Sequence, residues 1–383
     1  MVKAYLRHEP LATFGVIAST QSNIVYDHAG KVAITPALEE VILWDLKKET
    51  EIARRKEPGN KSEVTSIAKS PNNKDCAVEY NDGSIRLLNI SSLTSTVTLS
   101  GQRAAATALI FDHDDTRLTS GSKDTDLIIW DIISESGLYR LKGHKDQITC
   151  LTFLTSKGTD AEKAVGASTE GYLLSSSKDT LIKLWDLSSQ YCREILAGHR
   201  SEVCTFAVSK DQKVIISGGA ASLQKAINPY GNIPHQSRDR LVTIKFHPSD
   251  KFMGVQVNEK SVDIYRVRDH EYIRKEIQRR KKSAKEKGKD DSQMSEEITP
   301  EDKFASEYLI RTPAKVCNFD FSPATNVEKA GYLQLVVSLN NNALEAYTIP
   351  IVEKKSEEPN EPSKLYSLDV PGHRSDIRTL TLS

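Results

Sequence analysis

Apolar residues alternate with polar ones in short runs that end on an aromatic or large aliphatic side chain: ALEEVILWDL (37–46), DGSIRLLNI (82–90), DLIIWDI (126–132), LIKLWDL (181–187), KSVDIYRV (260–267) and NALEAYTI (342–349). A period of two places successive side chains on opposite faces, so these runs predict strands. Clusters of turn-forming residues, SPNN (70–73), DHDD (112–115), SKDQ (209–212), HPSD (247–250) and SPAT (322–325), each follow one apolar strand and precede another, as hairpin turns do. Taken alone, DHDD suggests a cation site, but its place in the series predicts a turn. The step from Trp44 to Leu88 is 44 residues and from Leu88 to Trp130 it is 42; Trp130 to Trp185 takes 55, with the excess in the polar, Ala-rich stretch 156–171. A repeat of 40 to 45 residues is the length of one four-stranded unit in a ring of such units.

Two of the units are nearly identical, SGSKDTDLIIWDI (120–132) and SSSKDTLIKLWDL (175–187), and Gly-His pairs stand at 143–144 and 198–199. These residues resemble the WD-repeat family. The resemblance implies an all-β fold, a WD-repeat β-propeller of about seven four-stranded blades with a basic helical insertion. It also implies a hydrogen-bonded chain within each blade, here His144, Asp179 and Trp185 with Ser175 or Ser177. Asp124 and Trp130 keep the same separation as Asp179 and Trp185, although Gly101-Gln102 stands where Gly-His would. His144 and His199 are expected to be structural, because buried polar groups need partners. The fifth unit opens as GHRSEVCTFAVSKDQKVIISGGA (198–220) and then loses the pattern. Either the blade is degenerate or residues are missing between about 220 and 240.

Composition narrows the chemistry. With 52 basic and 52 acidic residues the net charge is zero, so any affinity for a polyanion must be local. The start, MVKAYLRHEP, carries charges where a secretory signal would be apolar, which predicts a soluble intracellular protein. Cys76, Cys150, Cys192, Cys204 and Cys317 show no CxxC spacing, so they are expected to be reduced thiols rather than zinc ligands or disulfides. No GxGxxG, GxxxxGK[ST], GxSxG or HExxH is present, so no cofactor, metal, small-molecule substrate or catalytic residue is expected and the chain reads as a non-enzyme.

One segment breaks the neutrality. Between Arg274 and Lys289 there are nine Lys or Arg against Glu276 and Glu286, followed by the acidic DDSQMSEEITPED (290–302). The candidate RNA-contacting residues are Arg274, Lys275, Arg279, Arg280, Lys281, Lys282 and Lys285. No aromatic is interleaved among them, so contact would be with phosphates rather than by base stacking. A nuclear import signal or a merely solvated helix fits the same run. The insertion spans about 268–305 within a propeller covering 1–371. The closing GHRSDIRTLTLS (372–383) reads as a Gly-His and the first strand of a following second propeller.

In order and wording, FGVIAS (14–19), ALEEVILWDL, GHRSEVCTFAVS, the basic insertion and the final GHRSDIRTLTLS resemble the U3 small nucleolar RNA-associated WD-repeat subunits of the small-subunit processome. That resemblance implies a scaffold of ribosome biogenesis in the nucleus and nucleolus, needed for rRNA processing. Its partners would be other WD-repeat subunits of a large ribonucleoprotein, the ribosomal RNA precursor and small nucleolar RNA, with no membrane. A generic WD-repeat adaptor, such as a ubiquitin-ligase substrate receptor or a vesicle-coat subunit, would use the same fold.

Overall fold

A computed structural model describes residues 15–155, 171–219, 233, 239–269, 271–275, 278–279, 299–323, 331–351 and 361–369. Six four-stranded antiparallel sheets, each built from consecutive strands, dominate it. The first holds Val25–Tyr26 (β1), Val32–Ala37 (β2), Glu40–Asp45 (β3) and Thr50–Lys56 (β4). The second holds Val64–Lys69 (β5), Asp75–Tyr80 (β6), Ile85–Asn89 (β7) and Ser95–Leu99 (β8). The third holds Ala106–Phe111 (β9), Arg117–Ser122 (β10), Leu127–Asp131 (β11) and Ser136–Leu141 (β12). The fourth holds Ile148–Leu154 (β13), Tyr172–Ser177 (β14), Ile182–Asp186 (β15) and Tyr191–Leu196 (β16).

Next comes a sheet of only two strands, Val203–Val208 (β17) and Ile215–Gly219 (β18). The last two four-stranded sheets are Leu241–Phe246 (β19), Phe252–Val257 (β20), Ser261–Val267 (β21) and Phe304–Arg311 (β22), then Val316–Phe321 (β23), Tyr332–Leu339 (β24), Ala343–Pro350 (β25) and Ser363–Asp369 (β26). The expected four strands per unit therefore hold six times. At the fifth unit, only the two strands that the alternation marked are present among the described residues. Sheets of consecutive antiparallel strands set around a ring make the chain an all-β propeller.

The turns follow from local chemistry. Each tight first turn places one residue in the left-handed region: Asn73 (φ 62°), Asp115 (φ 59°), Gln212 (φ 55°) and Asp250 (φ 60°). Asn and Asp tolerate that region because their short polar side chains bond to nearby backbone. Asp112 shows why DHDD is a turn: its carboxylate accepts from the N–H groups of Thr116 (2.9 Å) and Arg117 (3.1 Å) and pairs with the Arg117 guanidinium at 3.1 Å.

The core lies between neighbouring sheets, as apolar layers that continue around the ring. Ile34, Val41, Ile67 and Val78 pack between the first and second sheets, and Ile129 joins Ile148 and Trp185 between the third and fourth. The layer between the last sheet and the first closes the ring, with Ile17, Ile24 and Trp44 against Val336 and Leu344. No strand is shared across that seam among the described residues. Instead Asn342 Oδ1 accepts from the Ile17 N–H at 2.8 Å, and Asp320 Oδ2 accepts from the Tyr26 N–H at 2.9 Å.

Candidate functional site

The blade network is most complete in the fourth sheet. Trp185 Nε1 donates to Ser175 Oγ at 2.8 Å, Ser175 Oγ meets His144 Nε2 at 2.8 Å, and His144 Nδ1 meets Asp179 Oδ2 at 2.8 Å. An ionised carboxylate can only accept, so His144 donates to Asp179 through Nδ1, and its Nε2 accepts from the Ser175 hydroxyl, which in turn accepts from the Trp185 indole. The imidazole proton therefore sits on Nδ1 and faces the carboxylate. Burial lowers the His144 pKa, while Asp179 opposes that shift. Of the two serines that the sequence left open, Ser175 joins this chain; Ser177 Oγ donates to the Asp146 carbonyl instead.

Other blades solve the same problem with different groups. In the third, Trp130 Nε1 donates to Ser120 Oγ at 2.8 Å, Gln102 Nε2 stands in for the histidine, and Asp124 accepts from the Arg103 N–H at 3.2 Å. In the first, Trp44 Nε1 donates to Thr35 Oγ1 at 3.0 Å and Thr35 donates to the Ile17 carbonyl at 2.6 Å, so backbone replaces the histidine. In the fifth, His199 Nε2 lies 2.7 Å from Ser217 Oγ. These groups are buried and turned inward, and their partners are one another, which suits folding rather than chemistry on a substrate.

Two functional-looking residues carried no signal in the repeat. Asp320 and Lys245 form an ion pair at 3.0 Å on adjacent innermost strands, β23 and β19. Lys69 on β5 lies near enough to feel Asp320 and Asp27; burial lowers its pKa and those carboxylates oppose the shift. Only the ring geometry brings the second sheet and the last two four-stranded sheets to one axis, so no spacing along the chain could have revealed this group. The five cysteines are free thiols whose pKa values burial pushes up, Cys76 to about 12, so they stay protonated at neutral pH. Among the described residues no cluster of His, Cys, Asp and Glu could hold a metal ion, and no helix is long and apolar enough to cross a membrane.

The basic run leaves the ring between β21 and β22. Residues 271–275 and 278–279 are helical, and Ile273, 1% exposed, anchors this start to the blade while Tyr272 stacks beneath the Arg268 guanidinium at 5.5 Å. Arg274, Lys275 and Arg279 are exposed. Arg280, Lys281, Lys282 and Lys285 lie outside the described residues, as do 372–383 and most of the acidic stretch that follows the basic run. In an antiparallel meander, first-to-second and third-to-fourth connections emerge at the same end of the sheet. The basic run therefore leaves from the same face as the long connections at 155–171, 322–331 and 351–362. The opposite face carries the short turns at Asp82, Asp124 and Asp179.

Comparison with known proteins agrees with this architecture. The family model described as the WDR3 first beta-propeller domain matches residues 31–228. U3 small nucleolar RNA-associated protein 12 of Saccharomyces cerevisiae is 31% identical over 424 residues, which covers 100% of this chain and 42% of that protein. WD repeat-containing protein 3 of Mus musculus is 39% identical over 94 residues, 24% of this chain and 10% of that protein. The chain thus spans less than half the length of these relatives. Among solved structures, the RRP9 WD40 repeats superpose with a TM-score of 0.59 at 13% identity, covering 86% of this chain and 89% of that one. A chain of the mitotic checkpoint complex gives 0.61 at 14% identity, covering 92% and 100%. At such identities the structures speak to the fold alone. With its repeats, its blade networks and a family match over more than half its length, the chain belongs to the WDR3 first beta-propeller domain family.

Proposed function

We propose that this chain is a non-enzymatic scaffold of ribosome biogenesis, the first, seven-bladed propeller of a small-subunit processome subunit in the nucleolus. The observation that carries this reading is the similarity along the whole chain to a yeast protein named for its association with U3 small nucleolar RNA. On this reading the two-stranded sheet is the fifth of seven blades, residues 1–371 form one propeller, and 372–383 begin a second. Other WD-repeat subunits would pack against the blades. The basic run from Arg274 to Lys289 would meet phosphates of the ribosomal RNA precursor or of small nucleolar RNA.

The physical support is local. A net excess of seven positive charges on one segment of a neutral chain concentrates the field there. The inward-turned networks and protonated thiols leave the described residues without an evident nucleophile and base pair, which fits a scaffold. Crosslinking of the tagged chain in nuclear extract tests the reading. Recovery of ribosomal RNA precursor or U3 RNA joined to peptides of the 270–298 segment is expected. Recovery of neither RNA, with copurification of ubiquitin-ligase or coat subunits, would overturn it in favour of a generic adaptor.

A further inference from the structure

Five hydroxyl residues stand directly before a proline: Thr35, Ser70, Thr299, Thr312 and Ser322. Proline-directed protein kinases select such pairs, a hydroxyl acceptor followed by a residue with no N–H to satisfy in the enzyme's groove. The fold withdraws four of them. Thr35, Ser70, Thr312 and Ser322 are buried, and three of these hydroxyls already donate within the protein, Thr35 to the Ile17 carbonyl, Ser70 to the Asp115 carboxylate and Thr312 to the Ala314 carbonyl. Thr299 alone of the five is exposed, with the extended backbone (φ −83°, ψ 156°) that a residue before proline prefers.

Thr299 stands where the basic insertion rejoins the ring. The chain leaves the sheet after Val267 and returns through the single helical turn Pro300–Lys303 to Phe304. Thr299 Oγ1 donates to Asp302 Oδ2 at 2.7 Å, and the same oxygen accepts from the Thr299 N–H at 3.2 Å. This turn also fastens the outgoing chain: the Arg268 N–H donates to the Lys303 carbonyl at 2.9 Å, and its guanidinium donates to the Asp302 carbonyl at 3.4 Å. One helical turn does not sustain itself, and Pro300 is buried in it, so the acceptor pair is presented to an enzyme when the turn opens. We propose that Thr299 is a phosphorylation site of a proline-directed protein kinase and that the phosphoryl group keeps the base of the insertion open. Oγ1 takes the γ-phosphoryl group of ATP: a new O–P bond replaces the P–O bond to ADP, and the hydroxyl proton passes to the kinase's base. The ester carries a charge of about −1.5 to −2 at neutral pH and has lost the proton that Thr299 gave to Asp302. Its like charge beside the Asp302 and Glu301 carboxylates opposes closure of the turn. The proposal stands apart from the RNA reading, since neither the acceptor nor its test involves RNA.

The test incubates the full chain with a cyclin-dependent kinase and ATP and locates the phosphate by tandem mass spectrometry. Phosphate on Thr299 is expected, with none on Thr35, Ser70, Thr312 or Ser322 while the chain is native. In the phosphorylated chain, amide exchange at Arg268 and at residues 301–304 should rise about tenfold or more, the scale of losing a side-chain cap and gaining like-charge repulsion, while the blade strands exchange as before. Asp302→Asn removes the charge and keeps an acceptor, so phosphorylation of that variant should raise exchange less. No phosphate on Thr299, earlier modification of a buried pair, unchanged exchange at 268 and 301–304, or an equal rise in Asp302→Asn would each overturn the proposal.

Discussion

Asp320 Oδ2 accepts a hydrogen bond from the Tyr26 backbone N–H at 2.9 Å, joining the innermost strand of the last blade to that of the first. The other carboxylate oxygen holds Lys245 at 3.0 Å, so one side chain ties three blades together at the axis. Because no shared strand closes the ring among the described residues, the seam depends on such contacts. Asp320→Ala should orphan a backbone N–H and an ammonium at once, costing roughly 2 to 4 kcal/mol in urea denaturation. Hydrogen exchange should show the loss first at residues 15–26. A uniform loss spread over all blades would contradict the seam assignment.

The serine at the centre of the fourth blade serves two partners and the serine of the fifth serves His199. Ser175→Ala should leave the Trp185 indole N–H and His144 Nε2 without their shared partner, a cost of about 2 to 3 kcal/mol. Ser217→Ala should cost about 1 kcal/mol or less. Equal costs in chemical denaturation would show that the network in the fourth blade acts no more strongly than a lone hydrogen bond.

Acid should weaken the fold through His247. Burial lowers its pKa from 6.5 to about 4, with its Nδ1 accepting from the Ser249 N–H at 3.1 Å and its ring edge-on to Phe321. The native state resists protonation while the unfolded chain does not. The stabilising effect is therefore complete above pH 6.5 and is lost progressively toward pH 4, by up to about 3 kcal/mol. His247→Asn keeps an acceptor without titrating and should flatten that part of the pH profile of the melting temperature.

Glu79 predicts the opposite trend. It is fully buried, and burial pushes its pKa well above 4.5 although the Ala106 backbone favours the charged form. The folded state retains a proton that the unfolded state releases, so the group costs stability as pH rises above about 4.5. Glu79→Gln should raise the melting temperature at pH 7 to 8 and leave it unchanged near pH 4. A gain of the same size at both pH values would mean that packing, not the proton, is responsible.

Changing Arg279, Arg280, Lys281 and Lys282 together to Gln should weaken binding to many RNA sequences alike. If about four phosphates are neutralised by the intact run, log affinity should fall with log salt at a slope near minus 3, and the variant should flatten it. Filter-binding titrations at several salt concentrations, with an unchanged melting temperature as control, decide the matter. An unchanged slope would leave an import signal or a solvated helix.

Much of the fold was legible in the sequence because strand formation and turns depend on near neighbours. The period-two runs ending at Trp44, Trp130 and Trp185 mark third strands, and Asn73, Asp115 and Asp250 mark turns whose backbone those side chains can satisfy. The resemblance to WD-repeat blades implied the His144–Asp179–Trp185 chain, and the hydrogen bonds through Ser175 complete it. Substitutes escaped: Gln102 for a histidine, and the Ile17 carbonyl with Thr35 in the first blade, because a hydrogen bond asks only for a donor and acceptor in place. The joining of Asp320 to Tyr26 across 294 residues and the approach of Lys69 and Lys245 to one axis depend on how the blades are set in a ring. Contacts of that kind are made by closure of the whole, and only the tertiary structure decides them.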